Sequence, residues 1–409
     1  MSGEDRNGLH AVNSETARQD ENKKERRFHR PDLKIRLPED PLTKGLIGMI
    51  IMVLAFALIG YWSYNRIHLF DGYDIRRSAS RQDAEGTRCE LLGRTLVKYN
   101  NDGVFASDLA GRLKWSSAYS MQTPMSEICG GKMIIYEELG SHVLILNAEG
   151  TEGTYQVPQP IRKAVVSRSG VTAMILDNDT QTLIEMYTPS GSEIASIRTT
   201  LEETGYPLDL ALTPNGKRLV VSYMALENGK LCGRIVMYDF SGYSGKDQEH
   251  ISASFSYPET VFPDVFIMGE SRAAAIGDDR FVVYTGASKP AESAGVILEK
   301  EVVSCFYDEK AIGFIFRSDD TENRYEIDAY SFSGRHLMRS DFNYEYEDVR
   351  MESGEVLLHD SGNIYVYRTS GKQKLAAGYD KEVVYFRQIP GLRDYLVITP
   401  DSLDQIRIE

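Results

Sequence analysis

Apolar and polar positions are arranged along this chain in three ways, and each predicts a different element. Residues 1–24, MSGEDRNGLHAVNSETARQDENKK, hold almost no large apolar side chain. They cannot bury enough surface to offset the chain entropy of folding and are expected to be disordered. From Gly45 to Tyr64 the balance reverses, and GLIGMIIMVLAFALIGYWSY runs twenty residues without a charge. A helix rising about 1.5 Å per residue crosses a hydrocarbon core in roughly that number. From about Cys89 to the last residue the pattern is that of strands. Runs of five to eight β-branched and aromatic residues, among them TLVKY, KMIIY, HVLIL, RIVMY, NIYVY and YLVIT, are separated by Gly, Asn, Asp and Ser turns. No segment there has a 3.6-residue apolar period.

The strand pattern repeats. A strand followed by a tight turn ends at Gly111, Gly150, Gly191, Gly242, Ser288, Gly334 and Gly371, with gaps of 39, 41, 51, 46, 46 and 37 residues. In five of these units a tyrosine stands four places before the turn end, at Tyr187, Tyr238, Tyr284, Tyr330 and Tyr367. Such regular spacing predicts packing between units rather than a ligand site. A unit of about 40 to 50 residues with four short strands is the size of a propeller blade. Residues 207–256 display the order, with PLDLALT as the inner strand, then RLVVSYMAL, GRIVMYDFSG and the outer HISASFSY. The final run adds an eighth third strand, LDQIRIE, which has no fourth strand after it. A ring must close, so a strand from before or around Cys89 is expected to complete that blade. The predicted fold is an all-β propeller of eight blades, with seven as the alternative.

The expected organisation is a disordered cytoplasmic tail (1–44), a transmembrane helix (45–64), a stalk rich in Arg, Ser and Asp (65–85) and an extracytoplasmic propeller (86–409). A cleaved signal peptide fits less well, because 44 residues precede the apolar run and Ala55–Ala57 lies inside it. Tyr61 and Trp62 read as interfacial aromatics between Lys44 and Arg66. Six basic residues in the twenty or so before the run (Arg26, Arg27, Arg30, Lys34, Arg36, Lys44) against four after it (Arg66, Arg76, Arg77, Arg81) place the N-terminus in the cytoplasm of a plasma membrane.

Charge narrows the partners. Residues 1–44 hold ten Lys/Arg against nine Asp/Glu, whereas the chain after residue 63 holds 36 against 51, a net of −15. That excess disfavours nucleic acid and anionic headgroups and favours cationic partners or none. Within the tail, residues 23–36 gather seven basic residues against two acidic ones, beside the expected membrane surface. The partners expected are the membrane itself and a protein or cell-wall component at the propeller.

No catalytic, cofactor-binding or metal-binding residue is assigned. His10, His29, His68, His142, His250, His336 and His359 are scattered, without an HxH or HxxxH pair, and GxSxG, P-loop and GxGxxG motifs are absent. Cys89, Cys129, Cys232 and Cys305 lie far apart and read as buried free thiols, not a zinc site. Acidic clusters occur at Asp177-Asn178-Asp179, Asp278-Asp279, Asp319-Asp320 and from Asp341 to Asp348. The first begins like a calcium loop but lacks its Gly and Glu, and all four read as solvated turn acids. An enzyme of the glycosidase kind would need paired acids at the central funnel, which spacing alone does not reveal.

Within LVKYNNDGVFASDLAGRLKW, Gly111 and Trp115 make this unit look like the Gly-x-x-x-Trp turn of quinoprotein-type and outer-membrane-assembly-type propellers. No adjacent Cys pair accompanies it, so a quinone cofactor is not expected. The whole layout, a basic tail, one helix and a Tyr-rich propeller, resembles an uncharacterised family of bacterial single-pass propeller proteins typical of Gram-positive anaerobes. The resemblance implies a bacterial plasma membrane and names no activity. The function expected is a non-enzymatic binding or scaffolding module. The alternatives are an extracytoplasmic carbohydrate hydrolase and a sensor relaying to a cytosolic partner.

Overall fold

The β-branched and aromatic runs pair into eight four-stranded antiparallel sheets. The computed structural model describes residues 41–409 apart from 85, 178–180, 201–203, 228, 243–249 and 392, so the disorder expected for the tail falls almost wholly outside the described residues. Seven sheets take their strands in sequence order, over residues 88–118, 124–156, 161–199, 206–258, 264–297, 302–342 and 348–378. These are blades 1 to 7. Blade 8 takes Tyr385–Gln388, Asp394–Ile398 and Ser402–Ile408 from the end of the chain and Tyr73–Ser80 as its outer strand.

Eight apolar clusters, one at each seam, hold the blades in a ring. Ile134 and Ile145 of blade 2 meet Ala164 and Met174 of blade 3, for example. The ring closes where Leu96 of blade 1 packs with Leu396 and Leu403 of blade 8. Burying one such side chain stabilises by roughly 1.5–3 kcal/mol. The recurrent tyrosines sit at the ends of third strands and pack into these seams: Tyr187 between blades 2 and 3, Tyr238 between 3 and 4, and Tyr367 between 6 and 7. Their hydroxyls are satisfied there, as in Tyr223–Tyr238 at 2.8 Å and Tyr344–Tyr367 at 2.7 Å. Trp115 also serves a seam, its indole N–H donating to the Ala148 carbonyl of the next blade at 3.1 Å.

Two glycines show why the repeat keeps that residue. Gly191 ends its turn at a φ of +81°, a conformation that costs a side chain energy. Gly153, in the fourth strand of blade 2, lies so close to the blade 3 turn that an added Cβ would stand 1.9 Å from the Pro189 carbonyl oxygen.

One expectation is corrected and another is not shown. Residues 73–80, expected within a stalk, are the closing strand, and the compact unit starts at Ile67. Their polar sequence, YDIRRSAS, hid a strand that pairs along one edge and presents no apolar face to a core. The transmembrane helix expected over 45–64 is not shown, because among the described residues no helix is long and apolar enough to cross a membrane. A helix, α1, does occupy Pro41–Ile67, opening on the proline that a first helical position accepts.

Candidate functional site: the central channel

The first strand of each blade faces the central channel, and those of blades 2 to 5 and of blades 6 to 8 touch their neighbours directly. Seven of the eight carry at least one charge, among them Glu90, Glu127, Lys163, Asp209, Asp264, Arg350 and Arg387 in blades 1 to 5, 7 and 8. Blade 6 contributes Cys305 and Tyr307.

On the arc of blades 2 to 6, a cavity of about 440 Å³ is lined by Glu127, Cys129, Lys163, Asp209, Asp264 and Tyr307, with Val165 and Phe266 as apolar wall. Asp209 is 1% exposed. Lys163 Nζ lies 2.5 Å from its Oδ1, and the Val265 N–H of the next blade donates to its Oδ2 at 2.8 Å. Asp264 lines the same cavity, and the Cys305 thiol donates to it at 3.7 Å. Burial, then the adjacent Asp209 carboxylate, raise Asp264 to about 7. Two neighbouring carboxyls with one lysine between them hold a proton in place of a second cation. Burial raises Glu127 as well. Burial pulls the Lys163 ammonium down, but Asp209 and Glu127 outweigh it and the net direction is up. Tyr307 leaves 41% of its surface exposed, yet burial of its hydroxyl, then the nearby Asp264, Glu127 and Asp209, holds that group well above the usual value.

The arc of blades 7, 8 and 1 sets two arginines against three carboxylates. Arg387 donates to Glu90 at 3.2 Å and pairs with Glu352, which also accepts the Gln388 N–H at 2.8 Å. Arg350 pairs with Asp348 at 2.7 Å and reaches Glu90 at 3.7 Å. Both guanidinium groups lie over the Tyr385 ring at 5.5 Å. The two sides of the channel thus differ in cations, one lysine against three acids on the first arc and two arginines against three on the second.

None of the four acidic clusters noted in the sequence builds this site, apart from Asp348. Asp177 is taken up by Arg162, Tyr206 and Thr182, while Asn178 and Asp179 lie outside the described residues. Asp279 binds Arg280 and Thr260, and Asp320 caps its own turn. Among the described residues no group of three His, Cys, Asp or Glu could hold a metal. All four cysteines are free; Cys89 and Cys232 are buried as expected, but Cys129 and Cys305 are only half-buried, at the channel. Paired acids are present in the funnel, but side by side. Asp209 and Asp264 interact directly, which leaves no space for a glycosidic bond between two carboxyls that would have to stand about 5–9.5 Å apart.

The fold is similar to that of BamB from Moraxella catarrhalis (TM-score 0.52, 11% identity, covering 82% of this chain and 100% of that one). It is also similar to a eukaryotic initiation factor (TM-score 0.51, 11% identity, covering 80% and 87%). At such identities the likeness is one of fold alone. Among curated proteins none matches the chain in sequence. One family model matches it, over residues 65–408.

Proposed function

The chain belongs to that family, DUF5711, a family of unknown function, and from this premise we propose that its propeller is a non-enzymatic binding module whose acidic channel arc receives a cationic group of a protein or cell-wall partner. One observation carries the reading: the arc of blades 2 to 5 sets three acids, Glu127, Asp209 and Asp264, against the single Lys163, so that Asp264, raised by burial and by Asp209, holds on to a proton. An ammonium or guanidinium entering the arc replaces that proton and gains charge-assisted hydrogen bonds. The test is titration with a short oligolysine peptide at low salt. Asp264→Asn combined with Glu127→Gln is expected to weaken binding about tenfold or more, and added salt to weaken binding to the wild-type protein. Unchanged affinity in the double variant removes the arc from the function.

We further propose that α1 anchors the propeller to a plasma membrane, with the N-terminal tail cytoplasmic and the propeller outside. Support comes from ten large apolar side chains between Leu46 and Ile59 that stand 49–68% exposed, a band that water disfavours and lipid accepts. Protease added to intact spheroplasts is expected to digest the propeller and leave an epitope on residues 1–40 protected. Digestion of the epitope instead would reverse the orientation, and recovery of the chain in the soluble fraction would remove the anchor.

A further inference from the structure

Seven blades are continuous in sequence, and one is not. Blade 8 is completed by Tyr73–Ser80, which pairs with Ser402–Ile408 across the whole length of the chain. No residue of this strand is buried, and its ladder is interrupted by a bulge between Ile75 and Arg77. The residues just before it are bound far more firmly. Phe70 is 1% exposed in the seam of blades 7 and 8, among Leu357, Leu375 and Tyr395. Its N–H donates to the Lys374 carbonyl at 2.8 Å, and the Arg393 guanidinium lies 4.6 Å from its ring centre. Arg368 donates to the His68 carbonyl at 2.7 Å and to the Gln373 carbonyl at 3.1 Å. Further along, one buried carboxylate ties the strand down: Asp404 accepts from Ser78 at 2.5 Å and from Tyr379 and Ser402, each at 2.8 Å.

We propose that residues 67–80 form a strap pinned by Phe70, which opens and closes as a unit and so makes the seam of blade 8 a releasable closure of the ring. The asymmetry of anchoring supports it. A strand held by ladder hydrogen bonds, the Ser78–Asp404 tie, an exposed Arg76–Glu409 pair and the stacking of Tyr73 on Tyr379, with no residue buried, belongs to the low-stability end of a structure. The pin instead buries a whole aromatic ring. Withdrawing Phe70 loads blade 7 through the Lys374 carbonyl and blade 8 through the ladder together. Strain on the chain before Ile67 therefore reaches ring closure without passing through the other six blades. Neither a channel ligand nor a membrane is needed for this closure to work.

Hydrogen exchange of the full-length chain in detergent micelles tests it. Phe70→Ala is expected to speed amide exchange at least tenfold in residues 73–80 and 402–408 while blades 3 and 4 keep wild-type rates. Should Phe70→Ala fail to fold, Phe70→Leu carries the same test with a smaller acceleration. A second variant locks the strap: Ala79 lies opposite Leu403, and paired strand residues are about 4.5–5.5 Å apart at Cα, within reach of a disulfide. Ala79→Cys with Leu403→Cys, oxidised, is expected to restore slow exchange to both segments in the Phe70→Ala background. Acceleration spread evenly over all eight blades, or exchange in 73–80 indifferent to Phe70 and to the lock, overturns the strap.

Discussion

Raising the pH from 4 to 7 is expected to weaken the propeller by as much as about 4 kcal/mol through a single carboxyl, and Asp264→Asn to abolish that part of the dependence. Asp264 rises from 3.8 to about 7 in the folded chain, through burial and the neighbouring Asp209. Every tenfold gain in proton affinity on folding corresponds to about 1.36 kcal/mol. The sign follows from proton counting. Between the two values the folded chain holds a proton that the unfolded chain has released, so stability falls as pH rises across that window and is level above it. The paired carboxylates act in the opposite direction and at another pH. Asp83 and Asp328 are both buried enough to be pushed up, but Lys98 and Arg81 bring the first down, and Arg339 and His336 the second. Their stability is lost only as pH drops below about 4. Urea midpoints of the wild-type and Asp264→Asn proteins at pH 4.5, 6 and 7.5 separate the two contributions. A difference between the proteins that stays constant from pH 4.5 to 7.5 would falsify a proton held by Asp264 in the channel.

That pair also marks the limit of what the sequence shows. Turn ends recurring at 37 to 51 residues expose the blades, because each blade must repeat the same four strands and the same tight third turn. The tyrosines at Tyr187, Tyr238, Tyr284, Tyr330 and Tyr367 read correctly as seam residues, since regular spacing is a packing constraint. The missing fourth strand of the last unit was legible as a vacancy. Its occupant, Tyr73–Ser80, was not, because a strand bound mainly through its backbone needs no apolar alternation. The channel was hidden for another reason. Glu90, Glu127, Lys163, Asp209, Asp264, Arg350 and Arg387 stand 36 to 86 residues apart, and no local motif joins them. The signal was there in a weaker form, as a charge, or several, inside the first strand of nearly every unit. Such a charge conflicts with burial unless the strands meet around water or one another. The acidic clusters that attracted notice in the sequence, Asp278-Asp279 and Asp319-Asp320, are turn residues paired to local partners.

Truncating Lys374 is expected to destabilise the ring more than removing most of its apolar side chains, by roughly 3–5 kcal/mol. Lys374 is 3% exposed in the seam of blades 7 and 8. It donates to Glu355 Oε1 at 2.5 Å and to the Tyr395 hydroxyl at 2.8 Å, while Tyr395 donates to Glu355 Oε2 at 2.6 Å. Burial pulls the ammonium down, and Glu355 only partly restores it. The triad therefore contributes little net attraction while each member stays indispensable to the others. In Lys374→Ala the Glu355 carboxylate keeps one donor and loses its counter-ion in a dry seam. Replacing both charges, Lys374→Met with Glu355→Leu, removes the attraction and the stranded ion together. This double variant is expected to recover most of the loss, leaving chiefly the unmet Tyr395 hydroxyl. Thermal unfolding of the three proteins side by side gives the answer. A single variant close to wild type would mean that water reaches Glu355, and a double variant as weak as the single one would mean that the ion pair itself holds the seam. The expected order instead makes the polar triad a device for alignment. It fixes blade 7 against blade 8 at the place where Phe70 enters, beside the one blade whose strands are not continuous in sequence.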